Sequence, residues 1–221
     1  ILIQLREKDY KNNKKLFEYL GDTYSKMNVA ELALSNYAEA EKYDSLDVSL
    51  KFKIADLLYK GQSYKEAVNK YLEIVHLAPK NSQALLKAGT ILFLAKSYAN
   101  ACVVFEQYLA LEQTEDAYRK ITKSFLETKN YEKAYQYALE GLVKYCDDSS
   151  LKKTAAISSF GVASNLTKEY QDCVKNANNE IMKKKCDEIQ NAFNRKFEEA
   201  GKYYSAIPDS LLTVSDLKNA G

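Results

Sequence analysis

A helical pattern that repeats about every 34 residues is the feature that most constrains this chain. Its clearest copy runs from Val48 to Asn81, where two apolar runs at helical spacing flank a short polar break at residues 60–63. Gly61 in that break is expected to give the backbone freedom of a tight turn, and Pro79 to end the second run. The segment therefore predicts a helix–turn–helix unit. Because neither helix can bury its apolar face alone, the unit also predicts stacked neighbours.

The neighbours are visible as positions that recur in register. Small residues open each second helix at steps of 34, 34 and 33 residues, namely Ala33, Ala67, Ala101 and Ala134. Four places later the chain has Tyr37, Tyr71, Phe105 and Ala138. Each first helix carries its own small or short residue, at Gly21, Ala55, Gly89 and Thr122. Small residues let two helix axes approach, and aromatic rings fill the space between them.

A helix pair of this length with this pattern resembles the tetratricopeptide repeat. The resemblance implies an all-α fold, a right-handed superhelical solenoid of helix–turn–helix repeats. It covers four units, at residues 14–47, 48–81, 82–114 and 115–148.

The segments outside these units are expected to complete the solenoid. Residues 149–180 keep enough of the pattern to predict a degenerate fifth repeat, with an inter-repeat turn at residues 176–179. Residues 181–221 predict a long terminal helix, beginning near Glu180 and ending near Tyr204, and then a capping helix at residues 210–219. The opening residues 1–13 resemble the tail of a preceding repeat helix, so the chain is expected to be a fragment of a longer protein.

Composition and motifs exclude several classes of function. The 32 basic and 30 acidic residues nearly balance, which gives no charge footprint for nucleic-acid binding. No apolar run reaches the roughly 18 residues of a membrane span, so no membrane insertion is predicted. His76 is the single histidine, and it lies near the end of a predicted helix, where a structural role is the favoured reading. With no phosphate loop, no nucleophile motif and no cysteines at zinc spacing, we predict no catalysis, no metal and no cofactor.

The resemblance implies a binding surface, because tetratricopeptide stacks bind extended peptides in a concave groove lined by first helices. The matching positions are Glu18, Tyr19, Asp22, Phe52, Lys53, Asp56, Tyr59, Lys87, Phe93, Arg119, Lys120 and Lys123. The family's chaperone-binding branch clamps a terminal carboxylate with a lysine and an asparagine at the places that Glu18 and Asp22 occupy here. The chain therefore lacks that clamp.

Lys53, Lys87 and Lys120 hold equivalent places in three successive repeats. Stacking would align them into a basic stripe, with Arg119 and Lys123 beside it and the acidic Glu18 and Asp22 at the other end. The alternative interpretation is a solvated helix face in a lysine-rich protein.

Two functions follow. The first is a non-catalytic protein-interaction scaffold that binds an extended acidic or mixed-charge segment of a protein or peptide partner. The second is a structural assembly module of a homo- or hetero-oligomer, which would use the convex face and the terminal helices.

Two of the four cysteines allow a geometric prediction. Cys173 and Cys186 would lie about 20 Å apart on one unbroken helix, too far for a disulfide. They are placed almost symmetrically about the polar segment at residues 176–179. If that segment is a turn, the two cysteines face each other across a helical hairpin, either as an apolar pair or as a disulfide.

Overall fold

The computed structural model describes residues 14–208, and every regular element in that range is an α-helix. Within these residues the chain forms two compact units, which divide between Ser97 and Tyr98. The helices in chain order are α1 (Lys14–Lys26), α2 (Ala30–Glu41), α3 (Val48–Lys60), α4 (Tyr64–Leu77), α5 (Ser82–Leu94), α6 (Tyr98–Leu109), α7 (Glu115–Glu127), α8 (Tyr131–Lys144), α9 (Ser149–Asn176) and α10 (Glu180–Ser205).

Consecutive helices pack against one another within each unit. In the first unit the contacts run from α1 to α2, α3, α4 and α5 in turn. In the second unit they run from α6 through α10, and α7 also contacts α9. Helix pairs are thus covered by the next pair along the chain, as stacked repeats require.

The recurring small residues lie where the helices come closest. The alanines that open the second helices are completely buried (Ala33, Ala67, Ala101 and Ala134). A Cβ atom on Gly21 of α1 would come within 2.5 Å of the Tyr37 ring on α2. The absence of a side chain at Gly21 is therefore what allows this tyrosine ring to pack closely against α1.

Each turn inside a described helix pair of the four repeats contains a residue in the left-handed backbone conformation. Gly61, which the sequence suggested for this role, is not one of them. Gly61 has an ordinary φ of −78°. The left-handed residue is its neighbour Gln62, with φ of 61°. The same place in the other described repeats is also left-handed and also not glycine, at Asn28, Lys96 and Lys129. The prediction for Gly61 was wrong by one residue, because the pattern of polar residues does not show which one reverses the chain.

Polar caps mark the starts of several first helices. The side chains of Asp47, Asn81 and Asp148 accept hydrogen bonds from backbone N–H groups three residues later, at 2.9–3.0 Å. Each cap satisfies a donor that the first helical turn would otherwise leave unpaired. Pro79 lies in the short connection before Asn81, after α4 has ended at Leu77.

The segment predicted as a degenerate fifth repeat is instead one continuous helix, α9, of 28 residues. Its serines do not break it, because Ser158 donates a hydrogen bond to the Thr154 carbonyl one turn earlier and Ser159 donates one to the Lys196 carbonyl of α10. A Cβ atom on Gly161 would lie 2.4 Å from the Tyr131 ring. This glycine therefore permits close packing of α9 on α8 and does not form a turn.

Helices α9 and α10 form a long hairpin around residues 177–179. Asn179 caps α10 by accepting a hydrogen bond from the Met182 N–H at 2.9 Å. Cys173 and Cys186 lie across this turn with their Cα atoms 5.6 Å apart, and the structure joins them as a disulfide. The geometry is thus the hairpin and not the single straight helix. The predicted tail at residues 1–13 and the predicted capping helix at residues 210–219 lie outside the described residues.

Candidate functional site

The predicted groove residues of the first unit lie on the first helices α1, α3 and α5. Tyr19 is the most exposed of the aromatic ones, at 65%, and Tyr59 follows at 41%. Phe52 and Phe93 are half-buried, and the Phe52 ring meets the Tyr71 ring edge-on with the centroids 6.0 Å apart. The first unit therefore offers a surface with two accessible aromatic rings, Tyr19 and Tyr59, and its charged residues form ion pairs.

Lys53 is bound to the preceding repeat. Its ammonium group donates to both carboxylate oxygens of Asp22, at 2.8 and 2.9 Å. The hydroxyl of Tyr37 donates to the same carboxylate at 2.7 Å. Lys53 also lies over the Tyr37 ring, with 5.9 Å between its Nζ atom and the ring centroid. An aspartate of one first helix, a tyrosine of its second helix and a lysine of the next first helix thus form an inter-repeat triad.

The triad recurs one repeat later. Lys87 donates to Asp56 at 2.5 Å, and the Tyr71 hydroxyl donates to the same oxygen. The Lys87 ammonium lies 5.7 Å from the centroid of the Tyr71 ring. At the next step of the sequence the aspartate and tyrosine places hold Thr90 and Phe105, so the sequence does not encode a third copy.

Protonation equilibria are perturbed around the first triad. Burial of the Asp22 carboxyl opposes ionisation, but hydrogen bonds from Lys53 and Tyr37 outweigh it and leave its pKa below the ordinary value. Burial, together with the hydrogen bond to Asp22, raises the pKa of the Tyr37 phenol. The aspartate is therefore held as an anion and the phenol as a neutral donor over the whole neutral range.

These contacts place acidic partners beside the basic stripe that was predicted for the first unit. Each lysine is neutralised by an aspartate from the repeat before it, so the surface carries alternating charges of both signs. Glu18 has a counter-ion as well, with 3.6 Å between its carboxylate and the Lys14 ammonium. The sequence showed all of these residues, but it could not show that the aspartate of one repeat reaches the lysine of the next.

Arg119 and Lys120, two of the predicted groove residues of the second unit, also form ion pairs. Arg119 donates to Asp148 at 2.5 Å and to Glu115 at 2.6 Å. Asp148 is the cap of α9, and its side chain is only 1% exposed. Lys120 pairs with Asp116 one turn earlier on α7, and Lys123 is exposed. Arg119 therefore fixes the start of α9, which the sequence did not predict.

The family comparison matches the repeated part of the chain. The sequence profile of the family described as Tetratricopeptide repeat matches residues 20–82 and 52–118. The helix pairs within residues 20–118 therefore match the tetratricopeptide repeat. The comparison with curated protein sequences gives no match.

Solved structures of several proteins have the same fold as this chain. The structure of YrrB, "a TPR protein with an unusual peptide-binding site", aligns over 98% of this chain and 97% of its own, with a TM-score of 0.58 and 14% identity. MamA aligns over 86% of this chain and 94% of its own, with a TM-score of 0.55 and 15% identity. A MamA from Desulfovibrio magneticus gives 0.52 at 16% identity, over 84% and 94% of the two chains. At such identities the likeness concerns the fold alone.

The family match and the shared fold support a protein-interaction scaffold. No helix within residues 14–208 combines the length and apolar character needed to cross a membrane. In the same range no group of three histidine, cysteine or acidic side chains is arranged to hold a metal ion. The absence of catalysis stays a prediction.

Proposed function

We propose that this chain is a non-catalytic scaffold that binds an extended segment of a protein partner along the first helices of residues 14–97. The observation that supports it best is the composition of that surface, where exposed Tyr19 and Tyr59 accompany charges of both signs. Aromatic side chains supply contact area at interfaces with little entropic cost.

The ion pairs decide which kind of segment suits this surface. A free row of lysines would select an acidic segment. Because Lys53 and Lys87 are already paired with Asp22 and Asp56, an acidic segment would first have to compete with those carboxylates. A segment of mixed charge can instead place its own charges against both partners of each pair. We therefore favour a mixed-charge segment.

The proposal is tested by capturing partners with the intact chain and identifying them by mass spectrometry. Two variants with nearly equal exposure then locate the surface. Tyr19→Ser removes a ring that is 65% exposed on α1, and Leu46→Ser removes a side chain that is 67% exposed in the loop before α3. We expect partners to be lost with Tyr19→Ser and retained with Leu46→Ser. Equal retention by both variants would contradict the proposal.

Assembly of larger complexes is the second candidate, and an exposed aromatic cluster on the terminal hairpin favours it. The Phe160 ring of α9 lies 6.2 Å from the Phe197 ring of α10, which in turn stacks on Phe193 at 5.9 Å. Phe160 is 36% exposed and Phe197 is 47% exposed. Light scattering over a range of concentrations would detect self-association, and Phe197→Ser should abolish it if this cluster is the interface.

A further inference from the structure

A small apolar pocket lies at the turn end of the second and third repeats. It is lined by side chains from the end of α3, the start of α4 and the end of α5, namely Tyr59, Tyr64, Ile91, Leu94 and Ala95. The two tyrosine rings form one wall, with centroids 5.8 Å apart. The pocket encloses about 220 Å³. This is below the roughly 300–1,000 Å³ typical of small-molecule sites, and it suits one side chain of a partner.

This tyrosine pocket differs in its chemistry from two larger cavities of the described residues. One of those is lined in part by Lys51 and Glu73, which form an ion pair at 2.7 Å. The other contains Arg119 and Asp148, which form another. The tyrosine pocket has no charged side chain in its lining. Leu94 is nevertheless 63% exposed and Tyr64 is 46% exposed, so apolar surface remains accessible there.

The surroundings of the pocket carry positive charge. Lys60, Lys65 and Lys96 each adjoin a lining residue in sequence, and all three are exposed. Within the described residues 14–208 no acidic group forms an ion pair with any of them, in contrast to Lys53 and Lys87. In the two segments that contain the lining residues and these lysines, residues 59–66 and 91–96, there is one carboxylate, Glu66. Three lysines against one glutamate leave a positive rim.

We propose that the tyrosine pocket receives a bulky aliphatic side chain, such as leucine, from a partner segment whose flanking residues are acidic. The pocket supplies the apolar contact and the lysine rim attracts the flanking carboxylates. This inference rests on the proposed function, because Tyr59 belongs to the groove surface and the same segment would continue from it into the pocket.

The size of the apolar contribution sets the first test. Fluorescence anisotropy of the intact chain is measured with a labelled peptide that has a central leucine and two glutamates on each side. A second peptide has alanine in the centre. Because a leucine buries three more carbon atoms than an alanine, we expect about tenfold tighter binding of the leucine peptide, allowing for a half-open pocket. Equal binding of the two peptides would overturn the proposal.

Variants of the chain show where the peptide binds. Tyr64→Ser and Leu94→Ser change exposed side chains, so both should fold, which circular dichroism checks. Each should remove most of the preference for leucine over alanine. If the preference survives in both variants, the side chain binds elsewhere and the proposal is wrong.

The charge contribution is tested with matched double variants. Lys60→Glu with Lys65→Glu reverses two rim charges, and Lys15→Glu with Lys80→Glu makes the same change in net charge elsewhere. At low salt we expect the rim variant to bind the leucine peptide at least fivefold more weakly than the control variant. Equal binding of the two variants would contradict the assignment of the acidic flanks.

The outcome for the pocket is separable from the outcome for the groove. Loss of captured partners with Tyr19→Ser but normal capture with Leu94→Ser supports the groove and overturns the pocket. Loss with Leu94→Ser but not with Tyr19→Ser supports the pocket as the main contact and overturns the groove.

Discussion

The repeats of residues 14–97 and the terminal hairpin of α9 and α10 are held together by different kinds of contact. Consecutive repeats share a triad that recurs with the sequence period, first at Asp22 and Lys53 and then at Asp56 and Lys87. The hairpin uses contacts that occur once. Besides the disulfide, the Tyr135 hydroxyl of α8 donates to Glu199 of α10 at 2.8 Å.

This difference shows which contacts of a repeat protein can be inferred from the period of its sequence. A contact that recurs between neighbouring repeats appears at fixed spacing in the sequence, as the two triads do until Thr90 and Phe105 replace the aspartate and the tyrosine. The hairpin has no following repeat to match. Its contacts therefore follow no period, and only the pair of cysteines around a polar turn indicates them.

Removal of the disulfide should produce the largest effect, confined to the hairpin. Closing a loop of this length is worth about 3 kcal/mol in the chain-entropy account. Cys173→Ser should therefore accelerate amide hydrogen exchange around the turn at residues 177–179 and leave the exchange of α1 to α5 unchanged. Cys146→Ser, which changes an exposed free cysteine, is the control. If amide hydrogen exchange at the turn is the same in Cys173→Ser as in the parent chain, the disulfide is not formed in solution.

Adding side chains to the close-packed glycines should affect both regions. A methyl group on Gly21 would meet the Tyr37 ring at 2.5 Å, and one on Gly161 would meet the Tyr131 ring at 2.4 Å. We expect each change to alanine to lower the free energy of unfolding by about 1–3 kcal/mol in urea titrations. Gly201→Ala is the control, because no atom lies within 4 Å of the added methyl group. It should be neutral or stabilising by up to about 1 kcal/mol. Equal effects at all three sites would contradict the packing.

The phenol of the triad should give a smaller effect with a pH dependence. Tyr37→Phe removes the hydrogen bond to Asp22 and should cost about 1 kcal/mol near neutral pH. The folded chain raises the pKa of this phenol, so it binds the proton more strongly than the unfolded chain does. Its contribution is therefore complete below the unfolded pKa of about 10 and declines as the pH rises above it.

The difference in unfolding free energy between the parent and Tyr37→Phe should accordingly shrink in urea titrations above pH 10. Tyr19→Phe, which keeps an exposed ring on α1, is the matched control and should show little change at any pH. A constant difference for Tyr37→Phe from pH 7 to pH 11 would exclude the triad hydrogen bond.

The turn of the second repeat should show the smallest effects. Gly61 has an ordinary φ, and an added methyl group would make only normal contacts, at 3.4 Å and beyond. Gly61→Ala should therefore stabilise the chain by about 0.4–1 kcal/mol, because it restricts the unfolded state. Gln62→Ala, at the left-handed position, should not. If Gly61→Ala lowers the melting temperature, the original prediction that Gly61 supplies the conformational freedom of the turn would be supported.

The sequence was most informative where a property recurs. The period of Ala33, Ala67, Ala101 and Ala134 predicts the helix pairs and their buried contacts, and the structure confirms these contacts. The segment at residues 149–180 was misread because serines and a glycine suggest a weak helix. Ser158 is satisfied within α9 itself, whereas Ser159 and Gly161 contact α10 and α8, and the sequence does not show these tertiary contacts.

The candidate site was predicted less completely than the fold. The period places Lys53 and Lys87 on equivalent positions, but it does not measure the distance to Asp22 and Asp56. A residue that is charged and recurrent can bind a partner or bind the next repeat, and both uses leave the same pattern. The segment Ile91 to Ala95 has no polar face, which indicates that it is covered, but the sequence does not show that packing leaves a pocket beside Leu94 and Ala95.

The most direct test of the central claim is a double-mutant cycle between Asp56 and Lys87. The claim is that the lysines of the first unit join consecutive repeats. Unfolding free energies are measured for the parent, Asp56→Asn, Lys87→Met and the double variant. Because the two side chains are 42% and 37% exposed, solvent screens the pair, and we expect a coupling of about 0.5–1 kcal/mol. A coupling of zero, with fully additive effects, would contradict the account and would show that Lys87 does not join its repeat to the preceding one.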